Sequence, residues 1–369
     1  MTRPYRRMRI AFVVPGASGG GVRSVVRIAS GLAERGHQVR LLHGAPRHSP
    51  REVLRRAYLR LRFGHRDSWL RNPAMEAVSY RALSPRIVGA NDVVVGVGVR
   101  CVLQIADLPD ACGHKVHNCR GVEDWIGDDM RRAWALPMPR IVVGSHLVGL
   151  MRNAGSTDPI YLAHNGIDVG DYYPASLGDA RHGVGTVYHG GSAKDPRTIL
   201  AVLNELANTR PDVPLFAFGG FPRPRGMPPS LHYARLPNLA TARRIYSKCL
   251  VWFIASRTEG LSNPLLEAIA CGCAVISTDC GGSHDIIDNP RTGLLVPVGD
   301  PDRLAAAIVS LLDDPPRRMQ MMSDSRGVLD RFTWGRAVSD FEAALLAIVA
   351  GGASRGAAAH GAEKIAGQG

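Results

Sequence analysis

Short apolar runs and helical patterns alternate along almost the whole chain. Residues 8–14, MRIAFVV, have the length and the β-branched content of a buried strand. A glycine-rich turn follows, RSVVRIASGLAERG then repeats apolar residues at helical spacing, and HQVRLLH (37–43) returns to a strand pattern. This order predicts a βαβ unit, and therefore a parallel sheet covered by helices.

The same alternation predicts strands along the rest of the chain. They lie at residues 92–99, 114–118, 140–145, 160–168, 185–191, 214–220, 231–236, 250–256, 274–278 and 293–298. A polar stretch at 170–184 interrupts the pattern, which favours two similar α/β halves over one long sheet. The length of 369 residues agrees, because a single hydrophobic core seldom grows beyond about 250–300 residues.

This break sets the predicted domain boundaries. Residues 1–172 form the first domain and residues 173–331 the second. An amphipathic pattern predicts a terminal helix at 332–350. Residues 351–369 have no apolar period and are expected to be disordered.

Positive charge is concentrated in the first half of the chain. Residues 1–180 contain 25 Lys and Arg against 15 Asp and Glu, whereas residues 181–369 contain 20 against 17. With a pI of about 9.9, this asymmetry suggests a polyanionic partner, either a nucleic acid or an anionic membrane face. The strongest basic pattern is at 47–66, where arginines flank an apolar stripe. Such a helix either lies in a membrane interface or covers a protein core.

The sequence contains no segment that predicts a membrane span. No stretch approaches the roughly 18 uninterrupted apolar residues that a spanning helix needs. The apolar run IAFVV near the N-terminus has only five residues, too few for a signal peptide. We therefore expect a cytoplasmic protein, peripheral on the inner face of the plasma membrane if residues 47–66 contact lipid. Seven cysteines, an odd number, predict no disulfide framework.

The most informative stretch is RTEGLSNPLLEAIACGCAVIST, residues 257–278, which separates Glu259 and Glu267 by seven residues. A buried strand pattern precedes it, and Pro264 suits the first turn of a helix. The intervening loop, Gly260, Leu261, Ser262 and Asn263, is then predicted at the carboxyl edge of a parallel sheet, where open α/β folds bind ligands.

Backbone N–H groups at the start of that helix would attract a diphosphate. A carboxylate beside phosphates is repulsive unless it accepts hydrogen bonds from hydroxyl groups. Two carboxylates around an anion-binding loop therefore favour a nucleotide-sugar, with Glu267 on the ribose and Glu259 on the sugar. Surface charge is the simpler alternative.

The segment EGLSNPLLEAIACGCAVISTDCGGSHDII closely resembles the donor-site signature of retaining GT-B glycosyltransferases of family four. That signature is a glutamate, seven residues, a second glutamate, Ala-x-Ala-x-Gly and a Gly-Gly turn. The segments VVGSHLVGLMRNAG, IYLAHNGIDVGDYYP and GLLVPVGDPDRLAAAI resemble the family as well, so the likeness covers most of residues 8–348.

The resemblance implies a GT-B fold, in which two Rossmann-like domains have parallel sheets that face across a cleft. The first domain would hold the acceptor and the second the nucleotide-sugar donor. The helix at 332–350 would pack back on the first domain.

The same resemblance implies further donor-site residues. Gly20 and Gly21 would let the backbone approach the donor phosphates or the acceptor, unless they only form a tight turn. Lys194 matches the lysine that holds the diphosphate. His189 stands where the family usually has an arginine. Arg197, one turn after Lys194, would substitute for that arginine. Solvated surface charge is the alternative for these three side chains.

His117 occupies a position where family members often carry a residue that faces the reacting sugar. His114, Arg120 and Glu123 are rivals, and a purely structural histidine is the alternative. The arrangement of Cys112, His114, His117 and Cys119 matches no common zinc site. We predict no metal and no cofactor.

The chain is thus predicted to be a retaining glycosyltransferase acting on a glycan or lipid-linked acceptor of the cell envelope. A nucleotide-sugar 2-epimerase of related fold is one alternative. A non-enzymatic basic nucleic-acid binder is another, although the 6% aromatic content offers no stacking motif for it.

Overall fold

The chain forms two compact units. Unit 1 contains the described residues up to His164 and those from Trp334 onward, and unit 2 is Asn165–Thr333. The basic pattern predicted at 47–66 lies outside the part that the computed structural model describes. That part is residues 6–16, 20–45, 74–123, 126–175 and 181–366.

Each unit is built on one parallel sheet of described strands. The strands of unit 1 are β1 (Arg9–Val14), β2 (Gln38–Gly44), β3 (Glu76–Tyr80), β4 (Val93–Val97), β5 (His114–Cys119), β6 (Arg140–Val142) and β7 (Ile160–Leu162). Those of unit 2 are β8 (Gly183–Tyr188), β9 (Leu215–Gly219), β10 (His232–Arg235), β11 (Cys249–Ile254), β12 (Ala274–Thr278) and β13 (Leu294–Val296). The strand orders are β3-β2-β1-β4-β5-β6-β7 and β10-β9-β8-β11-β12-β13.

The described helices cover both faces of these sheets. They are α1 (Gly20–Glu34), α2 (Pro85–Val88), α3 (Val99–Ala106), α4 (Asp128–Ala135), α5 (His146–Asn153), α6 (Pro196–Thr209), α7 (Leu239–Lys248), α8 (Asn263–Ala270), α9 (Pro301–Leu312), α10 (Pro315–Arg326) and α11 (Trp334–Ala366). Within the described ranges, none of them combines the length and the apolar character that crossing a membrane requires.

Strands β1 and β4 read as nearly unbroken apolar runs because helices cover the sheet on both sides. Phe12 and Val14 belong to one buried cluster of unit 1, whereas Ala11 and Val13 belong to another. The alternation follows from the two-residue period of a strand. The same physics produces the apolar runs of unit 2.

Strand β3 is the one described strand that the sequence pattern misses. It lies at the edge of its sheet and pairs with β2. Of its sequence EAVSY, only Tyr80 is fully buried. An edge strand with one solvent-exposed face needs no continuous apolar run, so its signal in the sequence is weak.

Helix α11 belongs to the core of unit 1 although it is distant in sequence. Phe341 packs against Phe12 with ring centroids 5.8 Å apart. A Cβ on Gly31 of α1 would come within 2.5 Å of Val338, so glycine permits the close approach of the two helices. The helix continues in the structure past the predicted boundary at residue 350, to Ala366.

Two glycines of β8 lie where large aromatic rings from the neighbouring strands of unit 2 pack against it. A Cβ on Gly183 would collide with the ring of Phe216, and one on Gly185 with the ring of Trp252. Both rings are buried. The Gly-Val-Gly start of β8 thus shapes the packing of its neighbours β9 and β11.

Candidate functional site

The main chain around Glu259 is fixed by a second loop. Glu259 follows β11, and its N–H donates to the carbonyl of Cys280 at 3.0 Å. It also pairs with Gly281 as an isolated parallel bridge. A Cβ on Gly282 would lie 2.6 Å from the carbonyl oxygen of Gly260. The Gly-Gly turn therefore lets the two loops approach each other closely.

Both carboxylate oxygens of Glu259 have partners. Lys194 Nζ lies 2.5 Å from Oε2, and Ser256 Oγ donates to Oε1 at 2.7 Å. The Glu259 side chain is only 10% exposed, while that of Lys194 is 35% exposed. A nearly buried carboxylate is tolerable because a cation and a hydroxyl satisfy it. The lysine stays accessible from solvent.

Lys194 is placed by a short 3-10 turn, Ser192–Lys194, between β8 and α6. The carbonyl of Ala193 in this turn accepts the N–H of Arg257 at 2.8 Å. Asp195 then caps α6, with its Oδ1 accepting from the N–H of Thr198 at 3.3 Å. The turn is thus held against the loop that carries Glu259.

Two other predicted cations contribute differently. Burial, and then the nearby Lys194 charge, lower the pKa of His189, so its ring is neutral near pH 7. His189 Nδ1 accepts the N–H of Gly191 at 3.1 Å. Arg197 is exposed on the first turn of α6. Lys194 is accordingly the cation that the structure places on Glu259.

Glu267 lies on the second turn of α8, and Tyr246 of α7 donates its hydroxyl to Glu267 Oε2 at 2.7 Å. Tyr246 is fully buried and packs on Trp252, with ring centroids 4.2 Å apart. Burial first, and then the charge of Glu267, raise the pKa of Tyr246 well above its usual 10. The phenol therefore stays protonated and remains a donor to the carboxylate.

The loop between the two glutamates is mostly buried. Leu261 and Ser262 are buried, and Ser262 is the residue that precedes α8. In the part of the chain that the structure describes, the Ser262 hydroxyl has no hydrogen-bond partner. Asn263 Oδ1 accepts from Asn165 Nδ2 at 3.0 Å. This link fixes the start of α8.

His117 lies in the middle of β5, paired with Gly96 on one side and Arg140 on the other. It is buried, and its Nδ1 has no partner among the described residues. Burial, and then the charge of Arg140, lower the pKa of His117 to about 3. The structure thus places a neutral imidazole inside the sheet of unit 1.

The rivals of His117 occupy the two ends of β5. His114 is exposed at its start, whereas Arg120 and Glu123 follow its carboxyl end. Glu123 Oε1 accepts the N–H of Val99 at 3.3 Å, at the first turn of α3. Burial raises the pKa of Glu123.

Gly20 and Gly21 open α1, just beyond the carboxyl end of β1. No described atom lies within 4 Å of the position that a Cβ on Gly21 would take. Packing within the described structure therefore gives no reason for glycine at position 21.

The residues that hold the two glutamates were not found by sequence reasoning. Ser256 precedes Glu259 by three positions, but nothing in its type marks it as a partner. Tyr246 is 21 residues from Glu267, and an aromatic residue on an amphipathic helix indicates a core position. The Cys280 carbonyl is a backbone group with no sequence signal.

Part of the sequence is similar to known proteins. Residues 184–314 match the model of the family described as Glycosyl transferases group 1. A GDP-mannose-dependent monoacylated alpha-(1-6)-phosphatidylinositol monomannoside mannosyltransferase of Corynebacterium glutamicum is 40% identical over 77 residues, 21% of this chain and 20% of that protein. Alpha-maltose-1-phosphate synthase of Mycolicibacterium smegmatis is 28% identical over 219 residues, 50% and 56% of the two chains. The matches thus span from a fifth to just over half of these relatives.

The fold comparison covers nearly the whole chain. The crystal structure of Anabaena HepE in complex with UDP-glucose superposes with a TM-score of 0.73 at 14% identity, covering 92% of this chain and 100% of that one. The predicted fold class, two Rossmann-like domains with parallel sheets, is confirmed. The chain therefore has the fold of GT-B glycosyltransferases, and its residues 184–314 match the Glycosyl transferases group 1 family model.

Proposed function

We propose that this protein is a retaining glycosyltransferase of family four that moves a sugar from a nucleotide-sugar donor to an acceptor. The observation that carries the proposal is the cluster of Lys194, Glu259 and Ser256, with Lys194 Nζ 2.5 Å from Glu259 Oε2. It lies beyond the carboxyl ends of β8 and β11, the edge where α/β sheets bind ligands. The group 1 domain of unit 2 supports the same reading.

Each side chain of the cluster has a proposed role toward the donor. Lys194 neutralises the diphosphate, assisted by the exposed Arg197. Glu259 accepts hydrogen bonds from the sugar hydroxyls, and Glu267 accepts them from the ribose. The buried Ser262 hydroxyl has no partner among the described residues. It would donate a hydrogen bond to an oxygen of the nucleotide-sugar, since buried polar groups are rarely left unsatisfied.

The loop backbone completes the proposed donor site. N–H groups of Gly260 and Leu261 would face the phosphates near the start of α8, where the helix dipole favours negative charge. The N–H of Asn263 already donates to the carbonyl of Leu261 at 3.0 Å. Gly20 and Gly21 of unit 1 are proposed to let backbone approach a phosphate or the acceptor. This role would explain a glycine at position 21, where the described residues leave room for a side chain.

The proposed reaction is a same-face displacement. The bond from the anomeric carbon to the diphosphate breaks, the acceptor oxygen bonds to that carbon on the same face, and the departing phosphate takes the acceptor proton. Lys194 stabilises the negative charge that develops on the leaving group. The sequence predicts that His117 faces the reacting sugar, but its side chain is buried in the middle of β5, so this contact is not part of the proposed reaction.

A glycan or lipid-linked acceptor of the cell envelope is part of the proposal. The Corynebacterium relative is named for a phosphatidylinositol mannoside acceptor. The basic pattern at 47–66, outside the described residues, would bring the protein to an anionic membrane surface. We accordingly propose a cytoplasmic enzyme on the inner face of the plasma membrane, which needs no metal or cofactor.

A donor screen tests the proposal. UDP-, GDP-, ADP- and dTDP-sugars are added one at a time, and the thermal unfolding midpoint is measured. One of them should raise the midpoint, and Glu267→Gln should abolish the rise. Glu205→Gln on α6 is the matched control and should keep it. An unchanged rise in Glu267→Gln would remove the ribose role.

Product analysis separates the alternatives. Incubation with the donor alone should leave the sugar configuration unchanged, whereas an epimerase would convert it. With an acceptor, NMR of the product should show the anomeric configuration of the donor. Salt-sensitive binding of RNA or DNA without any donor affinity would contradict the proposal.

A further inference from the structure

A second groove of unit 2 lies at the other end of its sheet from Glu259. It has a volume of about 490 Å³ and forms where the amino ends of β8, β9 and β10 meet α7. Its walls include His182, Phe216, His232, Thr241, Arg244 and Lys248. Because the strands are parallel and β8 has six residues, about 20 Å of strand separates it from the donor-site edge.

The aromatic wall of this groove is a stacked pair of rings. Phe216 stacks on His232 with ring centroids 5.2 Å apart and an angle of 21° between the rings. The Phe216 ring is buried and occupies the space that Gly183 leaves open. Lys248 Nζ lies 5.8 Å from the centre of the Phe216 ring. This cation–π contact holds the ammonium at the edge of the groove.

Helix α7 contributes two cationic side chains to the wall of the groove. Thr241, Arg244 and Lys248 are three and four residues apart, the spacing that places side chains on one helix face. The opposite face of α7 is buried and carries Tyr246, the residue that donates to Glu267. The exposed face of α7 is therefore a basic surface on a well-packed helix.

The positive charge in this groove is uncompensated. Arg244 and Lys248 are exposed, and neither side chain forms a hydrogen bond or an ion pair with a described residue. The residues that line the groove include no Asp or Glu.

The larger groove of unit 1, about 740 Å³, is different. There Arg6 pairs with Asp92 at 3.5 Å and Lys115 with Asp110 at 2.9 Å. Paired charges indicate no preferred ligand, whereas the unpaired cations of unit 2 favour an anion.

We propose that the unit 2 groove binds a phosphate group, with Arg244 and Lys248 as the residues that hold it. Side chains four apart on a helix are roughly 6 Å from each other at Cβ, close enough for both to reach the oxygens of one phosphate or diphosphate. Arginine and lysine donate charge-assisted hydrogen bonds to such oxygens. The phosphate belongs either to a soluble phosphate ester or to the headgroup of a lipid. The inference does not depend on the proposed transferase activity.

Inorganic pyrophosphate is the probe for the soluble source. Lys194→Ala is used as the background, so that the proposed donor site contributes less to the binding measured by calorimetry. Adding Arg244→Ala and Lys248→Ala should weaken pyrophosphate binding at least tenfold. The control, Arg317→Ala with Arg326→Ala, also removes two positive charges, but from another exposed surface. It should leave the pyrophosphate affinity within about twofold.

Vesicles test the lipid source. The full chain is sedimented with phosphatidylcholine vesicles that contain phosphatidic acid, and with vesicles of phosphatidylcholine alone. Pelleting that needs phosphatidic acid and is lost in the Arg244 and Lys248 double variant assigns the groove to a headgroup. Pyrophosphate binding that depends on the pair, without such pelleting, assigns it to a soluble ester. If neither measurement separates this double variant from the control pair, the groove binds no phosphate.

Discussion

Two carboxylates of unit 2 are positioned by hydroxyl groups from elsewhere in the fold. Ser256 donates to Glu259, and Tyr246 donates to Glu267, each at 2.7 Å. A hydrogen bond to a charged group contributes about 1.5–3 kcal/mol. Removing one such donor should therefore change ligand binding measurably while the fold is kept.

Tyr246→Phe removes the hydroxyl that holds Glu267 and keeps the ring that packs on Trp252. We expect the KM for the nucleotide-sugar to rise roughly tenfold, with kcat changed much less, because Glu267 is proposed to contact only the ribose. Steady-state kinetics with varied donor provides the measurement. Tyr233→Phe is the control, since its hydroxyl donates to the carbonyl of Phe221 at 2.7 Å. Equal KM values for both variants would contradict the positioning role.

Lys194→Met should affect stability and activity in separable ways. It leaves the nearly buried Glu259 without its cation, which we expect to lower the free energy of unfolding of unit 2 by about 1–2 kcal/mol. Adding Glu259→Gln should restore most of this stability but none of the activity, because the leaving-group stabilisation proposed for Lys194 is lost. Urea unfolding and initial rates are compared for the single and double variants. Restored activity in the double variant would exclude the proposed role of Lys194.

Among the secondary-structure elements, α11 is joined to unit 1 by a buried polar contact as well as by its apolar face. The N–H of Met8 donates to His37 Nδ1 at 3.1 Å, so the neutral ring carries its proton on Nε2. That nitrogen lies 2.7 Å from Glu342 Oε1, and Arg35 donates to Glu342 Oε2 at 2.6 Å. Glu342 thus joins α11 to the end of α1 and the start of β2.

Glu342→Ala should loosen α11 from unit 1. It removes the acceptor of a buried imidazole and of an arginine, a change worth about 2–3 kcal/mol. Hydrogen exchange of α11 should accelerate accordingly, and Glu342→Gln, which keeps an acceptor for His37, should be intermediate. Asp340→Ala, two residues before Glu342 on the same helix and partly exposed, should change exchange little. Similar acceleration in both alanine variants would show that the contact is unimportant.

The elements themselves were largely predictable. Every described strand except β3 overlaps a run that the apolar pattern marks, because a strand buried on both faces must be apolar throughout. The ends of the strands were less predictable. The run at 160–168, for example, contains the three-residue strand β7 followed by irregular chain.

For the whole molecule, the two units carry separate cores, so their stabilities can respond separately to solution conditions. Buried His117 makes unit 1 sensitive to acid. In the unfolded chain a histidine takes up a proton near pH 6.5, whereas His117 in the folded unit does so near pH 3. Between these values the unfolded state binds more protons, so the stability of unit 1 falls as the pH drops through this window.

Lowering the pH from 8 to 5 should therefore remove about 2 kcal/mol of unit 1 stability through His117. The His117→Gln variant cannot take up this proton, so its unit 1 should lose correspondingly less stability over the same pH change. Hydrogen exchange at the two pH values, followed separately in peptides of each unit, provides the measurement. Exchange in unit 2 is the internal control and should be the same in both proteins. If unit 1 were equally sensitive to acid in the wild-type protein and in His117→Gln, the assignment of this sensitivity to His117 would be wrong.

The sequence by itself determined the order of strands and helices apart from β3, the two parallel sheets, and the loop and helix that carry Glu259 and Glu267. These features follow from local periodicity and from turn residues, which act over a few positions. Only the tertiary structure decided that Lys194 meets Glu259 across 65 residues, that Tyr246 holds Glu267, and that α11 joins unit 1. Such contacts depend on which strands become neighbours, and that choice minimises exposed apolar surface over the whole unit rather than along the chain.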